Sequence, residues 1–175
     1  NGYQSHAATE TCPGHSTIMT SKRPGSNGII ANTWVDWSAP RADKVVYCAE
    51  DESAPGSTSI NYTVSPVHLN AQTLGDRLKA VSPASRNVAV AGKDRAAIMM
   101  GGRNVDQRWY RQGNAFATDL KGLAVPRSVT STNQAVAGAI AQARPALVAP
   151  AFCEGRAKPY PVSPTVTVGN WRMDR

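Results

Sequence analysis

The chain has 175 residues, 41% of them hydrophobic, enough to bury the core of one domain. Nineteen Lys and Arg against 12 Asp and Glu give a net charge of +7, which favours anionic partners such as phosphate esters. Its basic residues are scattered without interleaved aromatics, which argues against nucleic acid, and no apolar run could span a bilayer, so no membrane partner is expected.

The opening NGYQSHAATET has neither a start methionine nor a basic-then-apolar leader. The closing TVTVGNWRMDR reads as a strand in mid-course, so both ends read as cut from something longer. Pro13 to about Ser21 reads as a short helix with Pro13 at its first position, ended by Lys22-Arg23-Pro24-Gly25. Gly28 to Ala31 reads as a short buried strand or turn, and Lys44 to Ala49 as a strand. A polar loop, Asp51 to Ser59, follows. Leu74, Leu78 and Val81 have helical spacing within Thr73 to Val81. After the turn SPAS, Asn87 to Ala91 reads as an inner strand, so a helix-then-strand unit of an α/β sheet is expected. Arg108 to Thr118 reads as a hairpin around Gln112-Gly113-Asn114. Thr132 to Ala143 reads as a helix capped by Ser131 or Thr132. From Pro145 onward proline is frequent and the pattern irregular. Cys12, Cys48 and Cys153 stand far apart without a CxxC, which argues against a zinc knuckle. One disulfide with one free thiol is open, and the sequence does not choose the pair.

Three short stretches could carry chemistry. In TETCPGHST, Thr11 stands at the entrance of the Pro13 helix, where backbone N–H groups lack partners and the dipole is positive, a setting that binds phosphate. A hydroxyl there could attack phosphorus. In AVAGKDRAAIMMGG, Lys93 and Arg95 follow a strand end at once, where α/β sheets bind ligands. Arginine would grip phosphoryl oxygens as a fork and lysine as a point charge. Asp94 between them has no assigned role beyond its backbone. In GIIANTWVD, Asn32 follows an apolar run and could donate to a phosphoryl oxygen. Taken singly, an N-cap threonine, a solvated charge pair and a turn asparagine are the plainer readings. His15, four residues beyond Thr11, reads as a packed or surface histidine rather than a metal ligand, as do His6 and His68.

Together, in this order, these blocks resemble the phosphate-irrepressible alkaline phosphatases, within the alkaline phosphatase and nucleotide pyrophosphatase superfamily. TETCPGHSTIMT, GIIANTWVD, VVYCAEDE, QTLGDRLKAVSPASRNVAVAGKDRAAIMMGG, WYRQGNAFATDLKGLAVP and ARPALVAPAFC carry the resemblance, from about Ala8 to Cys153. It implies an α/β fold: part of an alkaline-phosphatase-like central sheet flanked by helices, incomplete at both ends. Residues 1–175 would be the N-terminal portion of a single catalytic domain, with 145–175 a Pro-rich irregular segment. It implies Thr11 as nucleophile and metal-bound oxygen, and Asn32, Lys93 and Arg95 as phosphoryl-binding residues. It also implies two zinc ions, with one aspartate ligand upstream of the nucleophile and the Asp and His ligands of the C-terminal half all outside this chain. Small phosphate monoesters would be the substrates and a periplasmic or secreted location would be expected. The fragment alone is expected to be inactive. The competing readings are a phosphodiesterase or nucleotide pyrophosphatase of the same superfamily, and a non-catalytic anion-binding module.

Overall fold

The computed structural model describes residues 9–143, 150–154, 156 and 158–168. The chain divides into two compact units, residues 1–133 and 134–175. His6 lies outside the described residues.

In the first unit, α1 spans Thr11–Thr20 with Glu10 as N-cap. It starts before Pro13, which lies inside the first turn, where its missing N–H leaves no helical bond unmade. The first helical bond runs from Gly14 N to Glu10 O, 3.0 Å. A short helix, α2, Pro24–Asn27, follows with proline at its start. Gly28 to Ala31 forms no strand, because the Asn27 side chain satisfies the local backbone instead. Asn27 Oδ1 accepts from Ile29 N at 2.9 Å, and Asn27 Nδ2 donates to Lys22 O at 2.8 Å. Gly28 has φ +86°, and a Cβ there would lie 2.6 Å from His68 O, so the chain needs glycine. The strands β1, Thr33–Val35, and β2, Val45–Tyr47, pair antiparallel.

Helix α3, Leu74–Val81, begins with a capping box: Thr73 Oγ1 accepts from Asp76 N, and Asp76 accepts from Thr73 N. Asp76 Oδ1 also accepts from Arg103 N and Asn104 N, at 3.1 and 2.7 Å, which ties α3 to the turn after the next helix. The strand β3, Val88–Ala91, the helix α4, Asp94–Gly101, and the strand β4, Gln107–Gln112, form a β-α-β unit with parallel strands. The strand β5, Ala115–Ala117, returns antiparallel as the expected hairpin. The order β3-β4-β5 puts β3 at an edge of the described sheet, not inside it. Ala89 faces inward, where Gly101 of α4 comes so close that an added Cβ would lie 3.0 Å from the Ala89 Cβ. Val88 and Val90, on the opposite face, are 51% and 63% exposed. Helix α5, Arg127–Ala141, starts earlier than Thr132, because Pro126 opens it and its carbonyl accepts from Val129 N and Thr130 N. Asn133 then holds Phe116 of β5 by both its backbone groups.

The main core joins Cys12, Ile29, Tyr47, Cys48, Ala49, Leu69, Ile98 and Met99. It packs α1 against α4 and anchors both to the end of β2. Cys12 pairs with Cys48, and Cys153 is a free thiol. In the second unit, the described residues form α6, Ala151–Glu154, and an antiparallel hairpin of β6, Tyr160–Ser163, and β7, Val166–Val168. Among the described residues no helix is long and apolar enough to cross a membrane.

Candidate active site

Thr11 is the first residue of α1 and is half-buried. Few of the amides around it are free. Pro13 has none, and Cys12 N donates to Asn32 Oδ1 at 2.8 Å. Asn32 is thereby brought to the mouth of α1, beside Thr11. With Oδ1 occupied, the Asn32 Nδ2 group is the end left to donate, and it has no partner among the described residues. The Asn32 backbone is held on both sides: its N–H donates to Glu10 Oε2 at 2.6 Å, and its carbonyl accepts from Cys48 N at 2.9 Å. The Cys12–Cys48 disulfide closes the same arrangement covalently. His15 Nδ1 donates to Thr11 O at 2.7 Å, one turn along α1.

Next to Cys48 in sequence stands Tyr47, which reaches α4. Its hydroxyl donates to Asp94 Oδ1 at 2.9 Å, and Arg95 Nη1 donates to the same hydroxyl oxygen at 3.4 Å. Tyr62, from the loop after β2, donates to the other oxygen, Asp94 Oδ2, at 2.7 Å. The two rings pack at 4.6 Å between centroids. Burial pushes the Tyr47 hydroxyl up to about 12, with the Arg95 hydrogen bond opposing, and burial raises Tyr62 further still. The Arg95 Nε is buried without a partner among the described residues.

Lys93 precedes α4 and is exposed. It lines a cleft of about 250 Å³ with Tyr62, Asp94, Tyr110 and Arg111. Burial, then the charge of Asp119, pushes the Tyr110 hydroxyl up to about 12. Among the described residues no hydrogen bond joins Lys93 to Thr11, Asn32 or Arg95. Residues two apart at a helix start do not face one another, so Lys93 and Arg95 meet different neighbours.

Glu10, Tyr47, Tyr62 and Asp94 were not singled out by the sequence. Asp94 did carry a signal: an acidic residue opening a helix is favoured by the dipole and sits between the two cations. The tyrosines carried none, since their convergence on Asp94 spans separations of 47 and 32 residues. Among the described residues no three His, Cys, Asp or Glu side chains converge as a metal site would require.

A match to the type I phosphodiesterase / nucleotide pyrophosphatase family runs over residues 2–152, and the chain belongs to that family. It is 55% identical over 175 residues to alkaline phosphatase PhoK of a Sphingomonas species, covering 99% of this chain and 31% of PhoK. It is 47% identical over 173 residues to alkaline phosphatase PhoD of Zymomonas mobilis, covering 98% of this chain and 28% of PhoD. The crystal structure of wild-type alkaline phosphatase PafA matches with a TM-score of 0.62 at 26% identity, over 79% of this chain and 28% of PafA. A PafA variant substituted at a threonine, an asparagine, a lysine and an arginine matches with a TM-score of 0.63 at 25% identity. The chain thus spans less than a third of the length of these relatives. The fold is part of an alkaline-phosphatase-like α/β domain, as the sequence blocks implied.

Proposed function

We propose that this chain supplies the nucleophile and the phosphoryl-binding side chains of a zinc-dependent alkaline phosphatase acting on small phosphate monoesters. The observation that carries this reading is the Cys12 N to Asn32 Oδ1 hydrogen bond, which holds Asn32 at the first turn of α1, where Thr11 opens the helix. The named relatives support it. In the substituted PafA variant the threonine and asparagine are 21 positions apart, and the lysine and arginine two apart. Thr11 and Asn32, and Lys93 and Arg95, have those same separations.

In this reading Thr11 Oγ1 attacks phosphorus, the bond to the leaving oxygen breaks, and a phosphothreonine forms that water then hydrolyses. Asn32 Nδ2 and the Arg95 guanidinium donate to the non-bridging oxygens, and Lys93 adds a second positive charge from the cleft side. Zinc, when bound, supplies the lowered pKa of the attacking hydroxyl and offsets charge on the leaving oxygen. The residues described here do not by themselves close a zinc site: Thr11 is the oxygen this chain would offer, and the resemblance puts the other ligands outside it. The Cys12–Cys48 disulfide accords with a periplasmic or secreted location.

Diester or pyrophosphate hydrolysis is the second reading, favoured by the family match itself. Two cations argue for the monoester, which presents more charge on its non-bridging oxygens. The test uses the intact enzyme that carries this chain. Acid-quenched enzyme should carry phosphate on Thr11 by mass spectrometry, and Thr11→Ala should abolish both the adduct and aryl phosphate turnover. Phosphate on another residue, or full activity of the alanine variant, would overturn the assignment. A preference for an aryl methyl diester over the aryl monoester would put the second reading first.

A further inference from the structure

Asp94 is an acid lodged between two cations that are read as gripping a dianion. Left bare, its carboxylate would pair with Arg95 or repel the substrate. The first does not occur here. Both its oxygens are occupied, Oδ1 by the Tyr47 hydroxyl and Oδ2 by the Tyr62 hydroxyl, and no ion pair joins it to Arg95 among the described residues. Each hydroxyl has one hydrogen, and here it goes to Asp94. That leaves the Tyr47 oxygen lone pairs facing outward, where Arg95 Nη1 donates at 3.4 Å.

We propose that Tyr47, Tyr62 and Asp94 form a positioning cluster that screens the Asp94 charge and orients the Arg95 guanidinium toward the phosphoryl group. The inference rests on the phosphatase reading above. Three elements meet in it: β2 through Tyr47, the loop after β2 through Tyr62, and the first turn of α4 through Asp94 and Arg95. One long hydrogen bond to Tyr47 steers the guanidinium while leaving most of its five N–H donors for an anion. Tyr47 ends β2 and leads directly into Cys48, which is disulfide-bonded to Cys12 and donates its N–H to the Asn32 carbonyl. The cluster is therefore anchored to the same backbone that holds Asn32 at Thr11. Burial raises the Tyr47 hydroxyl to about 12, so it remains a donor to Asp94 in mildly alkaline solution.

The experiment is a double-mutant cycle in the intact enzyme. Tyr47→Phe, Arg95→Ala and the double variant are compared by kcat/KM on an aryl phosphate and by the inhibition constant of inorganic phosphate. Tyr47→Phe keeps the buried ring and should lower kcat/KM by about tenfold, the loss of one charge-linked hydrogen bond. In the Arg95→Ala background the same change should cost less than about twofold, because there is no guanidinium left to orient. Phosphate inhibition should follow the same pattern. Tyr62→Phe, whose ring is only partly buried, is the second variant should Tyr47→Phe fold poorly. It should show a smaller loss that also vanishes without Arg95. Equal losses with and without Arg95 would mean a structural role and overturn the inference. So would no loss in either tyrosine variant while Arg95→Ala is impaired, and in that case the phosphatase reading would stand. An unimpaired Arg95→Ala enzyme would overturn both the cluster and the assignment of Arg95.

Discussion

Removing the Cys12–Cys48 bridge tests how the candidate site is held together. The bridge closes a loop with a sequence separation of 36. Cross-linking a loop of that size restricts the unfolded chain by an amount worth about 3.8 kcal/mol at 25 °C. Both sulfurs are fully buried, so Cys12→Ala with Cys48→Ala also removes packing, which adds about 1 kcal/mol or more. The local geometry has a second tether, since Asn32 bonds both Cys12 N and Cys48 N. In the intact enzyme the double variant should therefore lose about 4–5 kcal/mol of stability while keeping much of its kcat/KM at low temperature, where it stays folded. Urea unfolding of oxidised wild type, reduced wild type and the double variant separates the entropic from the packing share. Reduced wild type should lie within about 1 kcal/mol of the double variant. A loss below about 1 kcal/mol on reduction would refute the loop-closure reasoning. Full stability with lost activity would show that the bridge shapes the site rather than the fold.

Two further outcomes follow from the charges around the site. Glu50 is fully buried and takes a fork from Arg41, with contacts at 2.7 and 3.1 Å, plus Tyr47 N at 2.9 Å. Arg41→Met should destabilise by roughly 3–5 kcal/mol by leaving that carboxylate short of a partner, and adding Glu50→Leu should recover most of it. Urea midpoints check this, and a single-variant loss under about 1 kcal/mol would count against it. The Tyr47 hydroxyl is raised from 10.0 in the unfolded chain to about 12 in the fold. Its contribution is therefore fully present below pH 10 and is lost as pH rises through about 12, on the order of 2–3 kcal/mol. Unfolding free energies across that window should fall less steeply in Tyr47→Phe than in wild type, and equal slopes would contradict the assignment.

The folded arrangement also explains why the site spreads over α1, β2 and α4. Each element end is short and contributes one or two polar groups, and the shared core of Cys12, Tyr47, Cys48 and Ile98 keeps those ends adjacent. The candidate site is held by a few long-range contacts laid over local turns.

Local signals in the sequence determined the elements and the candidate residues. The spacing of Leu74, Leu78 and Val81 marks α3, Gln112-Gly113-Asn114 marks the hairpin, and TETCPGHST marks the entrance of α1, whereas GKDR reads only as charges after a strand end and does not announce the helix α4 that opens there. These are legible because capping, turn chemistry and periodicity act between near neighbours. Tertiary structure alone decided the rest. It chose Cys48 rather than Cys153 as the partner of Cys12, and it put β3 at an edge of the described sheet. It turned Asn32 so that one end of its amide is occupied and the other has no partner among the described residues. It gave Asp94 two tyrosines and sent Lys93 and Arg95 to different neighbours. Such contacts join residues 20 to 48 positions apart, and no local propensity specifies which distant groups will meet once the apolar surfaces are buried.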